Sequence, residues 1–445
     1  MTSTSLPIAI IGAGPVGLAA ACHVLARGGT PVVIERGRAV AASVREWGHV
    51  RIFSPWSFNI DAEARRLLAG SGWQAPPPDA YPTGGELVSL YLEPLARLPA
   101  LRRHIRLRQR VVAVARQGID KLKTASRAEQ PFALRLRGDD GSEETLLARS
   151  VIDASGTWTK PSPLGADGIP AIGEDRLRDR LHYGIPDALG ADRGRYAGKE
   201  VAVVGGGHSA IDALVDLAWL AAETGSGRIH WLIRGASPTR AYGGGAADAL
   251  PERGRLGSRI QSLVERDEVR LVPSFRVERI AAGGERLVLT SEDGRKLAVD
   301  RVVVATGLRP ELGFLSELRL ALDPALDCAQ HLAPLIDPNV HSCGTVPPHG
   351  ASALAHPEPG FFIVGMKSYG RAPTFLMRTG YEQVRSVVAH LMGDLEAAAR
   401  VELVLPETGV CSGPTAKAES SCCAPSCCET GDAAPARAKA LETAA

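Results

Sequence analysis

What the sequence has little of narrows its class. Over 445 residues the formal net charge is only +2. Nucleic acid and anionic membrane surfaces both call for clustered Lys and Arg, so neither is an expected partner. Long hydrophobic runs are missing too. The longest apolar stretches, Ile8 to Ile11, Val201 to Val204 and Val302 to Ala305, have strand length and end at or near a glycine, far short of a bilayer span. Met1 to Pro7 carry no positive charge, and the next apolar stretch is broken by Gly12, Gly14 and Pro15. No secretory signal is therefore expected, and the expected location is cytoplasmic. The eight cysteines are not spread as a secreted disulfide framework would spread them: Cys22, Cys328 and Cys343 are scattered, and the other five crowd the last part. That pattern suits a reduced compartment. With 45% hydrophobic and 22% charged residues, the chain has a globular composition and room for two or three domains.

One plan of elements occurs twice. In the first unit the strand Ile8 to Ile11 enters Gly12-Ala13-Gly14-Pro15-Val16-Gly17, a helix pattern runs from Leu18 to Ala26, and the strand Pro31 to Glu35 follows. Further on, Phe132 to Arg137 and Thr145 to Ala148 read as a hairpin, and Ser150 to Asp153 lead into Ala154-Ser155-Gly156. In the second unit Val201 to Val204 enter Gly205-Gly206-Gly207-His208-Ser209-Ala210, a helix pattern reaches about Ala222, and the strand Ile229 to Arg234 follows. Leu287 to Thr290 and Lys296 to Val299 read as another hairpin, and Arg301 to Ala305 reach Thr306-Gly307. Two copies of one supersecondary plan imply two nucleotide-binding domains. Thr159 to Pro170, rich in Pro and Gly, reads as a crossing between them. From Pro406 the periodicity fades and Ala, Ser, Pro and Cys dominate, as in a flexible tail.

Each glycine set has a physical reading. Gly12 permits a tight turn, Gly14 lets the backbone approach a pyrophosphate and Gly17 allows helix to lie on strand, with Pro15 among the expected cofactor-binding residues of the loop. The pyrophosphate then meets the positive end of the helix dipole. Glu35 closes the second strand roughly 20 residues on, as the fingerprint requires. Its carboxylate accepts from ribose hydroxyls and repels a 2′-phosphate, so this site suits FAD or NAD; Arg36 flanks it. In the second set (Gly205, Gly207, His208, Ser209, Ala210), Ala replaces the third glycine, a permitted variant. There the second strand ends in Arg234, with Arg240 nearby. A guanidinium in place of the acidic residue favours a 2′-phosphate, hence NADPH over NADH; a surface arginine at a strand end is the plainer account. Ser155, Gly156, Thr306 and Gly307 are small residues after buried strands, which lets their loops pass close to a cofactor.

GAGPVG with Glu35, VVGGGHSA with Arg234, and VVVATGLRP resemble the flavin-containing monooxygenase and thioredoxin-reductase-like superfamily, over roughly Pro7 to Leu405. Trp47-Gly48-His49 look like its tryptophan-bearing FAD loop, Gly156 to Pro161 like its interdomain crossing, and Phe361 to Tyr381, with Gly365, like the segment that closes over the flavin. The phenylalanine-glycine-histidine motif of the animal-type monooxygenases has only Gly173, His182 and Tyr183 as counterpart. The resemblance implies an α/β protein of two Rossmann-like, three-layer ββα domains, the NADPH domain inserted in the FAD domain, plus a flexible Cys-rich tail. The expected divisions are 1–165 and 301–405 for FAD, 166–300 for NADPH and 406–445 for the tail.

A disulfide reductase of this layout needs a CxxC or CxxxxC pair on the flavin, and the body of the chain has none. The resemblance therefore points to O2 as electron acceptor, by way of a flavin hydroperoxide, and to a small soft nucleophile as substrate. In that family an asparagine after the tryptophan loop holds the flavin adduct, which here corresponds to Asn59; a polar turn residue is the alternative. The tail pairs Cys422-Cys423 and Cys427-Cys428, with Cys411 nearby, are soft donors suited to thiophilic ions such as trivalent arsenic, or an incidental metal-scavenging tail. Cys343 could receive such an ion, or be an inert buried thiol. Pro406 to Cys411 and the Cys-Cys tail resemble the flavin monooxygenases of arsenic-resistance systems, which implies detoxifying oxidation of methylarsenite to its pentavalent form. Alternatives are a monooxygenase of organic amines or sulfur compounds, a reductase passing electrons to its tail thiols or a partner, and a metalloid sensor that is no enzyme.

Overall fold

Alternate residues of the central strands go to opposite sides, and this sets the layers. The computed structural model describes residues 6–248, 250–340, 346, 349–373 and 375–403. They belong to a compact unit, Met1–Gly413; the second stretch, Pro414–Ala445, lies outside the described residues. In strand Ile8–Ile11, Ile8 and Ile10 pack into the cluster with helix residues Leu18 and Val24, while Ala9 and Ile11 pack against Val111, Val114 and Leu134 of a second sheet. Strand Glu200–Val204 repeats this: Val201 and Val203 face Leu214 and Leu217, and Ala202 and Val204 face Leu287 and Leu289. Strands buried on both faces lack polar alternation, which explains the unbroken apolar runs.

The first parallel sheet has the order Phe361–Ile363, Ser150–Asp153, Ile8–Ile11, Pro31–Ile34, Ile105–Arg106. The second runs Val269–Val272, Arg228–Leu232, Glu200–Val204, Arg301–Val304, Leu181–Tyr183, again parallel. Helices Pro15–Ala26 and His208–Thr224 follow the two central strands. Each unit also carries a three-stranded antiparallel sheet: Gln109–Arg116, Phe132–Gly138 and Glu143–Ala148 in one, Val277–Gly283, Arg286–Ser291 and Lys296–Val299 in the other. The expected α/β fold of two three-layer domains is present, and each expected hairpin gains a third strand.

The second domain is inserted in the first. Outgoing and returning segments lie side by side, with Ser162 N–H on Gly307 O and Arg309 N–H on Lys160 O, both at 2.9 Å. Strand Arg301–Val304 pairs with Glu200–Val204, so the second domain runs one strand beyond the expected join at residues 300 and 301, because that strand extends its sheet. The chain then re-enters the first sheet through Phe361–Ile363, and helix Met377–Leu391 lies on helix Pro15–Ala26, where a Cβ on Gly380 would come 2.7 Å from Val16. A buried carboxylate secures this return. Glu358 accepts from Arg116 at 2.8 Å and Arg127 at 2.7 Å. Burial alone would raise its carboxyl, but the two guanidiniums outweigh that and hold it below the ordinary glutamate range. No helix among the described residues is long and apolar enough to cross a membrane.

Candidate functional site

In open parallel sheets, ligands bind beyond the carboxyl ends of the strands. The first sheet brings four expected segments into one row there: Gly365 after Phe361–Ile363, Ser155 and Gly156 after Ser150–Asp153, the glycine loop after Ile8–Ile11, and Glu35 after Pro31–Ile34. Gly12 has φ +100°, and a Cβ on it would sit 2.8 Å from the Ala154 carbonyl oxygen. A Cβ on Gly17 would sit 2.0 Å from Gly12 O, so only glycine lets this helix start against the loop. Around Gly14 there is open space. Helix Pro15–Ala26 has Pro at its start and no side-chain cap, which leaves first-turn N–H groups for a ligand. Glu35 is 6% exposed and accepts from Ala13 N at 2.9 Å and Gly37 N at 2.7 Å, so it shapes the loop. Arg36 beside it is exposed. Trp47 closes the short helix Ala42–Glu46, and its ring lies where a Cβ on Gly84 would be, 2.7 Å away.

The second sheet repeats the row with different chemistry. A Cβ on Gly205 (φ +144°) would sit 2.2 Å from Ala305 O, while Gly206 and Gly207 face open space. Helix His208–Thr224 again has no side-chain cap. Ala210 is fully buried and Ser209 exposed. Thr306 donates its hydroxyl to Ser162 O at 2.9 Å, and Gly307 has φ +101°. Strand Arg228–Leu232 stops two residues short of Arg234, which is exposed, with Nη1 3.5 Å from Ala166 O. Arg240, also exposed, donates to Pro338 O at 3.1 Å. Neither forms an ion pair among the described residues.

Between the domains lies a cleft of about 430 Å³ lined in part by Gly48, His49, Trp158, His182 and Asp192. The Trp158 indole N–H donates to Glu46, and Phe53 packs on His208 with ring centroids 5.3 Å apart. Burial, with Arg253 adding to it, lowers His208 to about 4, so this imidazole at the start of the second helix is neutral at pH 7. Asn59 is fully buried, and its carboxamide is engaged by Ser54: Nδ2 donates to Ser54 O at 2.8 Å and Oδ1 accepts from Ser54 Oγ at 2.9 Å. Cys22 and Cys328 both pack in the core cluster of the first domain. Burial pushes the Cys22 thiol well up and the Cys328 thiol to about 12. Cys343, Cys411, Cys422, Cys423, Cys427 and Cys428 lie outside the described residues. Two residues at the site carry no sequence signal: Phe53, packed on His208, and Lys367, whose side chain has no exposure and pairs with Asp153.

The family model for the pyridine nucleotide-disulphide oxidoreductases matches residues 6–357. The chain belongs to this family. It is therefore an oxidoreductase of the group that binds FAD and NAD(P)H, and the residues present fit two such dinucleotides: two uncapped helix starts, each with a glycine face left open and a glycine pressed on the neighbouring strand end. Among curated proteins, the nitric oxide reductase FlRd-NAD(+) reductase of Vibrio vulnificus (strain CMCP6) is 22% identical over 229 residues, 50% of this chain. The match spans only 56% of that protein's length. Two solved structures share the fold. The bacillithiol disulfide reductase Bdr of Bacillus cereus matches with TM-score 0.64 and 20% identity, over 88% of this chain and 99% of that one. DfoA of Erwinia amylovora, a cadaverine monooxygenase bound to FAD, matches with TM-score 0.59 and 14% identity, over 94% and 100%.

Proposed function

We propose that the chain is a FAD-dependent, NADPH-consuming monooxygenase of a soft nucleophile, with trivalent arsenicals such as methylarsenite as substrate. FAD belongs at the first fingerprint and NADPH at the second. FAD, when bound, takes two electrons from NADPH and delivers them to O2, so that one oxygen atom goes to the substrate and the other, with two protons, to water. The single observation that carries this reading is the state of the described thiols. Exchange with a disulfide needs a thiolate, and Cys22 and Cys328 are core thiols that burial keeps protonated. Without a described cysteine pair whose disulfide could take the electrons, oxygen is the fitting acceptor. Exposed Arg234 and Arg240, with no carboxylate partner among the described residues, suit a 2′-phosphate. The tail pairs Cys422-Cys423 and Cys427-Cys428 suit a thiophilic substrate.

The chain's own groups have separable tasks. The open faces at Gly14 and at Gly206 and Gly207 admit the pyrophosphates, and the free N–H groups of each helix start hold them. Glu35 receives the ribose hydroxyls. Asn59, tied to Ser54, keeps the loop that carries Phe53 in shape and so acts by position. The interdomain cleft beside Gly48 and His49 gives a small substrate its approach.

The test is turnover of FAD-loaded protein under air with NADPH and methylarsenite. NADPH consumption should accelerate with the arsenical, and the pentavalent product should carry one labelled oxygen when the gas is isotopically labelled O2. Unlabelled product, or a rate indifferent to methylarsenite, overturns the substrate assignment. The family's disulphide chemistry supports a second reading, two-electron reduction of a disulfide formed between tail cysteines or carried by a partner. Under that reading NADPH oxidation proceeds without oxygen and stops when all five tail cysteines are replaced.

A further inference from the structure

A buried ion pair joins the two parts of the first domain, and neither the fingerprints nor the oxygen chemistry uses it. Lys367 belongs to the 3-10 turn Gly365–Tyr369, directly after strand Phe361–Ile363. Its Nζ lies 2.7 Å from Asp153 Oδ2, with both side chains at zero exposure, and 4.5 Å from the ring centroid of Phe314. It also donates to Ser155 Oγ at 3.1 Å. The Ser155 backbone N–H and hydroxyl both donate to Asp153 Oδ1, at 3.0 and 2.6 Å. The turn so held backs the first glycine loop, since Ala154 O stands 2.8 Å from the Cβ position of Gly12. Beyond it Gly156, at φ +69°, faces open space.

Stability alone does not account for such a pair. Removing two charges from water costs several kcal/mol each, and apolar replacements of similar volume are often neutral or stabilising. What the pair adds is direction. It ties two adjacent strand ends, 214 residues apart in the chain, and sets the turn that supports Gly12. We propose that Lys367 is a positioning residue for the flavin site: through Asp153 and Ser155 it holds the Ala154–Gly156 turn against the pyrophosphate loop. The proposal rests on FAD occupying the first fingerprint.

The experiment measures FAD affinity of the apoprotein by flavin fluorescence, and thermal unfolding of the same samples, for wild type, S155A, K367M and the charge-neutral pair K367M/D153N. Asn at 153 keeps the acceptor for Ser155 and leaves no buried charge, so the double variant folds with a melting point near wild type. Its FAD dissociation constant should still rise about tenfold, roughly the worth of one charged hydrogen bond. If Lys367 acts through Ser155, K367M/S155A loses no more affinity than K367M alone. A double variant that regains both melting point and FAD affinity overturns the proposal, as does additivity of K367M and S155A. Failure of wild type itself to take up FAD at this site would instead refute the cofactor assignment.

Discussion

In the first unit the residue that follows the second strand, Glu35, is 6% exposed and already fastened to the N–H groups of Ala13 and Gly37. In the second unit Arg234 stands exposed and, among the described residues, its side chain is held by one long bond to a carbonyl. The third fingerprint position differs in the same sense. Gly17 has no room for a methyl group, whereas Ala210 carries one and is fully buried. One supersecondary plan is thus tight in one copy and open in the other, which under the proposed assignment suits a resident flavin in the first and an exchanging dinucleotide in the second. A flavin must stay through many turnovers, while a nicotinamide dinucleotide must leave after each.

The largest effect should come from breaking the tight copy. Gly17→Ala places a methyl carbon 2.0 Å from Gly12 O, a backbone atom that yields only if the loop moves. Overpacking of this kind costs about 1–3 kcal/mol, so FAD affinity should fall by about 5- to 150-fold. The matching change in the open copy, Ala210→Gly, should leave NADPH affinity within about twofold and cost about 1 kcal/mol of stability as a glycine in a helix. Fluorescence titration of each cofactor on both variants checks this. Equal losses in the two copies would remove the distinction between them.

Much of this contrast was legible in the sequence because it is local. The glycine loops, the strands entering them and the residues after the second strands all lie within short stretches whose spacing has a direct physical meaning. The third strands of the antiparallel sheets were not legible, and bulges explain why. Register shifts between Val111 and Ala113, and between Val277 and Arg279, break the period-2 pattern. Lys367 escaped for a different reason: a lysine beyond a strand end reads as surface until a carboxylate 214 residues away covers it. The tilted contact of Phe53 with His208 likewise exists only once the two domains meet. The resemblance singles out Asn59, but its bonds to Ser54 give it a task in loop shape that spacing does not reveal.

A smaller effect should separate the two dinucleotides. If Arg234 receives the 2′-phosphate, Arg234→Ala raises KM for NADPH about tenfold, about 1.4 kcal/mol, and leaves KM for NADH unchanged. The loss should shrink with added salt, because the guanidinium is exposed and screened. Steady-state kinetics with both nucleotides at two ionic strengths decide it. A parallel loss for NADH would reassign Arg234 to the shared part of the ligand or to the fold.

The subtlest difference between the copies is one of pH. Helix His208–Thr224 carries Asp212, which burial raises from 3.8 to about 7, with Asp216 one turn along adding to the rise. Helix Pro15–Ala26 has no aspartate. Between about 4 and 7 folded Asp212 keeps a proton that the unfolded chain has released, so its contribution to stability declines as pH rises through that window. His208 opens the same helix and is shifted the other way, from 6.5 to about 4. The unfolded chain binds that proton first, and this group's contribution improves with rising pH between about 4 and 6.5. The two slopes oppose each other in the wild type. Asp212→Asn removes one of them, so the variant's gain in melting temperature should be absent near pH 4, grow up to about pH 7 and stay level above it. A gain that is the same at pH 4.5 and pH 8 would mean that Asp212 is ionised in the folded protein throughout, and that its surroundings on the second helix do not favour the protonated carboxyl.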